Sequence, residues 1–176
     1  MCALNTNDVS FEVHGFCDAS KDANDAAVYL RSISSTGETA MNLLCGESRV
    51  APLKTVSIPC LELCSAELLA KLTAKVMNSL KIDLSRVHLW SDATIMLGWI
   101  KINPHLLKTF VANRVNKIQK TTNQFIWQPI RSEENPADLV SRGVSVEKIL
   151  ECSLWWNGPT VLQQESPLFK LYSIFR

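Results

Sequence analysis

Apolar and polar residues alternate through residues 10–18, SFEVHGFCD, and this period predicts a β-strand. Residues 26–33, AAVYLRSI, predict a second strand, SSTGE a turn, and residues 39–50 a third strand. Connections this short imply an antiparallel meander. The period then changes. From Pro59, CLELCSAELLAKLTAKVMNSL reads as a long helix with Ser57 near its start. Residues 86–91, RVHLWS, form a short buried strand. A helix from Thr94 to Ile102 follows and is broken by Asn103-Pro104. An amphipathic helix is expected from His105 to Lys120, with Leu107, Phe110, Val111, Val115 and Ile118 on one side. Residues 124–130, QFIWQPI, give a fifth strand, and a short helix from Pro136 to Arg142 ends at Gly143 in the C′ position. The order β-β-β-α-β-α-α-β-α predicts an α/β fold, a mixed five-stranded sheet with helices on both faces. Three parts are expected: an N-terminal extension (1–9), one domain (10–145) and a C-terminal tail or linker remnant (146–176), irregular over its last 20 or so residues.

Composition changes this picture little. The chain has 176 residues, 47% apolar and 20% charged, which suits one globular domain. No apolar run is long enough to span a membrane. The N-terminus, MCALNTNDVSFEV, has neither the basic nor the apolar region of a signal peptide, so the expectation is an intracellular protein, cytoplasmic or nuclear and not secreted. Six cysteines form no C-x-x-C pair and three histidines do not cluster with them, which argues against zinc and for reduced thiols.

Charge changes it more. The net charge of +1 hides a segregation: −3 over residues 1–92, +6 over 93–132 and −2 over 133–176. The middle stretch has no carboxylate. Its basic residues are Lys101, Lys108, Arg114, Lys117, Lys120 and Arg131, and Lys117 and Lys120 lie opposite the apolar stripe of their helix. Such residues supply phosphate contacts that do not depend on nucleic-acid sequence.

Four carboxylates stand at strand ends and helix starts, where open α/β sheets place their sites. Asp18 ends the first strand and Asp92 the short buried strand. Glu62 lies in the first turn of the long helix, on a stripe with Ala66, Leu69 and Val76, and Asp138 opens the last helix. Glu67 contrasts with Glu62, because Lys71 four residues on makes it a solvated surface pair. Singly, each of the four is a turn residue, a cap or a complement to a helix dipole. Together, without balancing cations, they repel one another unless divalent ions sit among them. Oxygen ligands of this kind suit Mg²⁺ or Mn²⁺.

The motifs FCDAS, SRVAPLKTVSIPCLEL, VHLWSDATIMLGWI, LKTFVANRV, ENPADLVSRGV and SLWWNGP, in this order, resemble the ribonuclease H domain of BEL/Pao-type LTR retrotransposon polyproteins. The resemblance covers residues 10–159. It implies a ribonuclease H-like fold and two-metal-ion hydrolysis of the RNA strand of RNA–DNA hybrids. By motif it implies that Asp18, Glu62, Asp92 and Asp138 are the catalytic metal ligands, with Asp18 bridging two ions and Asp138 the most peripheral. It also implies a basic substrate-gripping surface (Lys101, Lys108, Arg114, Lys117, Lys120) and a parent polyprotein with reverse transcriptase and integrase domains, of which this chain is a fragment or remnant. The chain departs from the family pattern at three places. Asp25 stands near a usual glycine, Cys60 at a usual arginine, and Glu47 at a commonly basic position. The loop PIRSEENPAD also lacks the histidine that many ribonuclease H enzymes carry.

Two functions follow: a metal-dependent hybrid nuclease, or a catalytically inactive remnant that binds nucleic acid or a partner. An aspartic protease is excluded, because FCDAS lacks the Ser/Thr-Gly that should follow the aspartate and has no symmetric second copy.

Overall fold

The structure is a computed structural model that describes residues 9–51, 56–80 and 86–163. Five strands form one sheet: β1 (Val9–Ala19), β2 (Ala23–Ser34), β3 (Thr39–Val50), β4 (Arg86–Ser91) and β5 (Ile126–Pro129). Their spatial order is β3-β2-β1-β4-β5. β1–β2 and β2–β3 pair antiparallel, β1–β4 and β4–β5 parallel. The helices are α1 (Ile58–Ser79), α2 (Thr94–Lys101), α3 (Thr109–Thr121), α4 (Pro136–Ser141), α5 (Val146–Leu150), α6 (Ser153–Asn157) and α7 (Thr160–Gln163).

The pleat sorts β1 into two faces. Val13, Gly15 and Cys17 point toward α1, where they join Leu63, Leu69, Leu89, Val115 and Ile118 in the larger core. Gly15 permits a close approach: a Cβ there would lie 2.8 Å from both Leu69 Cδ1 and Leu89 Cδ2. On the other face Phe16, Tyr29, Met41, Trp90 and Leu162 form a second core under α4, α6 and α7. Here Trp90 Nε1 donates to His14 Nδ1 at 3.1 Å. That bond requires an unprotonated Nδ1, so Nε2 carries the ring proton toward Glu12 Oε2, 3.3 Å away. Burial pushes the Glu12 carboxyl up, but bonds from His14 and Arg31 outweigh it and hold it at about 2. His14 and His88 are structural: they stack with centroids 5.1 Å apart inside this face.

Two expectations are corrected. The helix expected from His105 begins as a 3-10 turn over Pro104–Leu106, capped by the Asn103 side chain, and α3 starts only at Thr109. Leu107 and Lys108 between them are extended, and Leu107 packs against the core. Nor are the last 20 or so residues irregular where they are described, since 160–163 form α7. Residues 146–163 carry α5–α7, and Trp155 and Leu162 pack on the sheet, with Tyr29 Oη donating to the Trp155 carbonyl at 2.7 Å. Their apolar side chains cover a sheet face that would otherwise be wet. The N-terminal extension before Val9 and the end of the tail, 164–176, lie outside the described residues.

The five described cysteines are free. Among the described residues no helix is long and apolar enough to cross a membrane.

Candidate metal centre

β1 and β4 run parallel as neighbours, so their C-terminal ends lie side by side. Asp18 stands near the end of β1 and Asp92 follows β4 directly. The N-terminal end of α1 crosses these ends and brings Glu62. Because α1 begins at Ile58, Glu62 is its fifth residue, just past the first turn where the sequence pattern put it. One oxygen from each of Asp18, Glu62 and Asp92 lies within 4.8 Å of the others. Asp18 is 5% and Glu62 8% exposed.

The cluster is electrostatically unfinished. None of the three carboxylates forms an ion pair with a Lys or Arg among the described residues. Burial, then the charges of Asp18 and Asp92, push the Glu62 carboxyl up to about 8. Burial also raises Asp18, partly offset by a hydrogen bond from Ser141. Glu62 Oε2 and Asp92 Oδ1 are buried without a hydrogen-bond partner. Unpaired buried carboxylate oxygens cost free energy, and a divalent cation among them removes that cost. The donor set is all oxygen, which fits Mg²⁺ or Mn²⁺. A cleft of about 250 Å³ opens beside the cluster, lined by Glu62, Asp92, Ile58, Pro59, Ile95 and Met96.

Asp138 lies close enough to raise Glu62 and Asp18 but outside the 4.8 Å group. It is partly exposed and paired with Arg142 Nε at 2.7 Å. Of the departures from the family pattern, Glu47 is paired with Arg49 at 2.6 Å. Asp25 faces Asp18 across the β1–β2 ladder, 2% exposed, and burial raises its carboxyl.

The basic residues divide. Lys101, Lys108, Lys117 and Lys120 are exposed. Lys117 Nζ and Arg114 Nε lie 3.5 and 3.6 Å from Glu67, which also accepts from Lys71 Nζ at 2.6 Å. The expectation of a solvated Glu67 is thereby corrected: its side chain is 12% exposed. The packing of α1 on α3 partly buries it and adds Arg114 and Lys117 to its local partner Lys71. They outweigh the effect of burial and hold its carboxyl below the ordinary range.

The sequence reading missed Ser132, Asn135 and Ser141. Ser132 Oγ donates to Asp92 Oδ2 and Ser141 Oγ to Asp18 Oδ2. Of the three, only Asn135 had a legible signal, as the residue before Pro at a helix start.

The strand order and the helices on both faces define a ribonuclease H-like fold, with the carboxylates at the ends of its central parallel strands. The profile of the Pao retrotransposon-like RNaseH-like domain family matches residues 2–93, more than half of the chain, and the chain belongs to that family. Among solved structures it is similar to the N-terminal RNase H domain of rv2228c from Mycobacterium tuberculosis, at 9% identity and a TM-score of 0.43, covering 72% of this chain and 86% of that one. It is also similar to LC11-RNase H1 in complex with an RNA/DNA hybrid, at 13% identity and a TM-score of 0.44, covering 72% and 88%. Prototype foamy virus protease–reverse transcriptase matches at 12% identity and a TM-score of 0.31, covering 84% of this chain and 20% of that one. No significant match exists among curated protein sequences.

Proposed function

We propose that this domain hydrolyses the RNA strand of RNA–DNA hybrids, with Asp18, Glu62 and Asp92 holding two Mg²⁺ or Mn²⁺ ions and Asp138 as a peripheral fourth ligand. The observation that carries this reading is the convergence of three carboxylate oxygens within 4.8 Å of one another, with no cation from the described chain to balance them. Divalent ions held there would supply an activated water and stabilise the leaving oxygen.

The chain's own groups take the remaining tasks. Asp18, Glu62 and Asp92 would hold the ions, each through a carboxylate oxygen. Ile58, Pro59, Ile95 and Met96 form an apolar wall of the cleft. Lys101, Lys108 and Lys120, joined by Arg114 and Lys117, contact backbone phosphates and position the hybrid without reading its sequence. In a parent polyprotein the domain works beside reverse transcriptase and integrase domains, inside the cell.

A labelled hybrid incubated with the purified chain and Mg²⁺ or Mn²⁺ tests the proposal. Cleavage confined to the RNA strand is expected, and D18N or D92N abolishes it. No cleavage with either ion, together with salt-sensitive hybrid binding weakened by K117E/K120E, would instead identify an inactive binding module.

A further inference from the structure

The ten residues 132–141 carry Asp138, yet their direct bonds to the carboxylate cluster come from two serine hydroxyls. Ser132 donates to Asp92 Oδ2, and Ser141 donates to Asp18 Oδ2. Between them stands Asn135, 1% exposed. Its Nδ2 donates to the Cys17 carbonyl at 3.0 Å, and its Oδ1 accepts from the Ala137 N–H at 3.2 Å. One short segment thus bonds to both aspartates and to the backbone residue before Asp18.

The consequence is geometric. In a cluster of like charges a free carboxylate swings away from its neighbours. A hydroxyl on one oxygen holds the group in one orientation and leaves the other oxygen to a ligand. For Asp92 the remaining oxygen, Oδ1, is buried and has no partner. We infer that Ser132 and Ser141 are positioning residues, fixing Asp92 and Asp18 so that each offers one oxygen to a divalent cation. The inference rests on the nuclease reading above.

The test is calorimetric titration of the whole chain with Mn²⁺, alongside hybrid cleavage measured over a range of Mn²⁺ concentrations. Groups that orient metal ligands are typically worth about 10–100-fold in metal affinity or activity. S132A and S141A are each expected to weaken Mn²⁺ binding about 10-fold or more and to shift the Mn²⁺ midpoint for cleavage by a similar factor. S132T and S141T keep the hydroxyl and stay near wild type. Circular dichroism and the thermal midpoint check folding. If the variants of buried Ser141 do not fold, the partly exposed Ser132 pair carries the comparison. Unchanged Mn²⁺ affinity in the alanine variants, with wild type binding and cleaving, overturns the inference and leaves the nuclease reading standing. A wild type that neither binds Mn²⁺ nor cleaves overturns both.

Discussion

Asn135 Nδ2 lies 3.0 Å from the carbonyl oxygen of Cys17 and donates to it, tying the start of α4 to the residue before Asp18. The same side chain caps α4 through the Ala137 N–H. N135A removes both bonds, one of them to the carbonyl of the fully buried Cys17. The lost cap and the lost buried hydrogen bond cost about 1 kcal/mol each, so a loss of about 2 kcal/mol is expected from urea unfolding. A loss below about 1 kcal/mol would show that the segment is held elsewhere.

Glu62 makes the metal-free protein sensitive to pH. Its carboxyl is raised from 4.5 to about 8 by burial and by Asp18 and Asp92. The folded chain therefore keeps a proton that the unfolded chain releases. Stability is lost as pH rises from about 4.5 through about 8. His14 and His88 act oppositely, but burial keeps both rings neutral when folded, so their contribution changes only below their ordinary value of 6.5. From pH 6.5 to 8 the carboxylate cluster dominates. E62Q is expected to raise metal-free stability at pH 8 by on the order of 2–5 kcal/mol and to flatten the dependence. Thermal midpoints of both proteins across this window, in a chelating buffer, decide it. Parallel curves refute the assignment.

Mg²⁺ or Mn²⁺ should reverse that instability. An ion that binds only the folded chain stabilises it by about 2.7 kcal/mol at one hundred times its dissociation constant. The wild-type thermal midpoint at pH 8 is expected to climb with added Mn²⁺, whereas D18N barely responds. An equal rise in both proteins places the ion elsewhere.

Glu67 restrains the basic surface. It accepts from Lys71 and lies 3.5–3.6 Å from Lys117 and Arg114. E67Q releases two cations of the proposed phosphate-binding set. Hybrid affinity is expected to rise, and the slope of log affinity against log salt to steepen by up to about one per released cation. Stability falls by about 1 kcal/mol or more, because the carboxylate is mostly buried. Fluorescence anisotropy over a salt series measures the slope, and an unchanged slope would show that Arg114 and Lys117 do not meet phosphate.

Gly15 is a packing requirement. G15A sets a methyl 2.8 Å from Leu69 and Leu89, both fully buried, and 3.2 Å from Thr73 Oγ1. A destabilisation of about 1–3 kcal/mol is expected by chemical unfolding. A neutral G15A would mean that α1 shifts freely on the sheet.

The sequence by itself determined the strands and most of the helices, because each is a local period. β1, β2, β3 and β4 fall within a few residues of where alternation and apolar runs put them, and Pro59 and Gly143 mark helix ends by their own backbone chemistry. It also singled out Asp18, Glu62 and Asp92, since a carboxylate at a strand end or on an apolar stripe is visible locally. That the three meet was decided by the parallel pairing of β1 with β4 and the crossing of α1, contacts between residues far apart in the chain. The same holds for the rest. Ser132 and Ser141 have no pattern of their own, and their partners lie 40 and 123 positions away. Glu67 read as a surface pair because Lys71 is local, while α3, which buries it, is not. The short helices after residue 145 lack the length to show a period, and only the apolar face of the sheet gives Trp155 and Leu162 a reason to fold onto it.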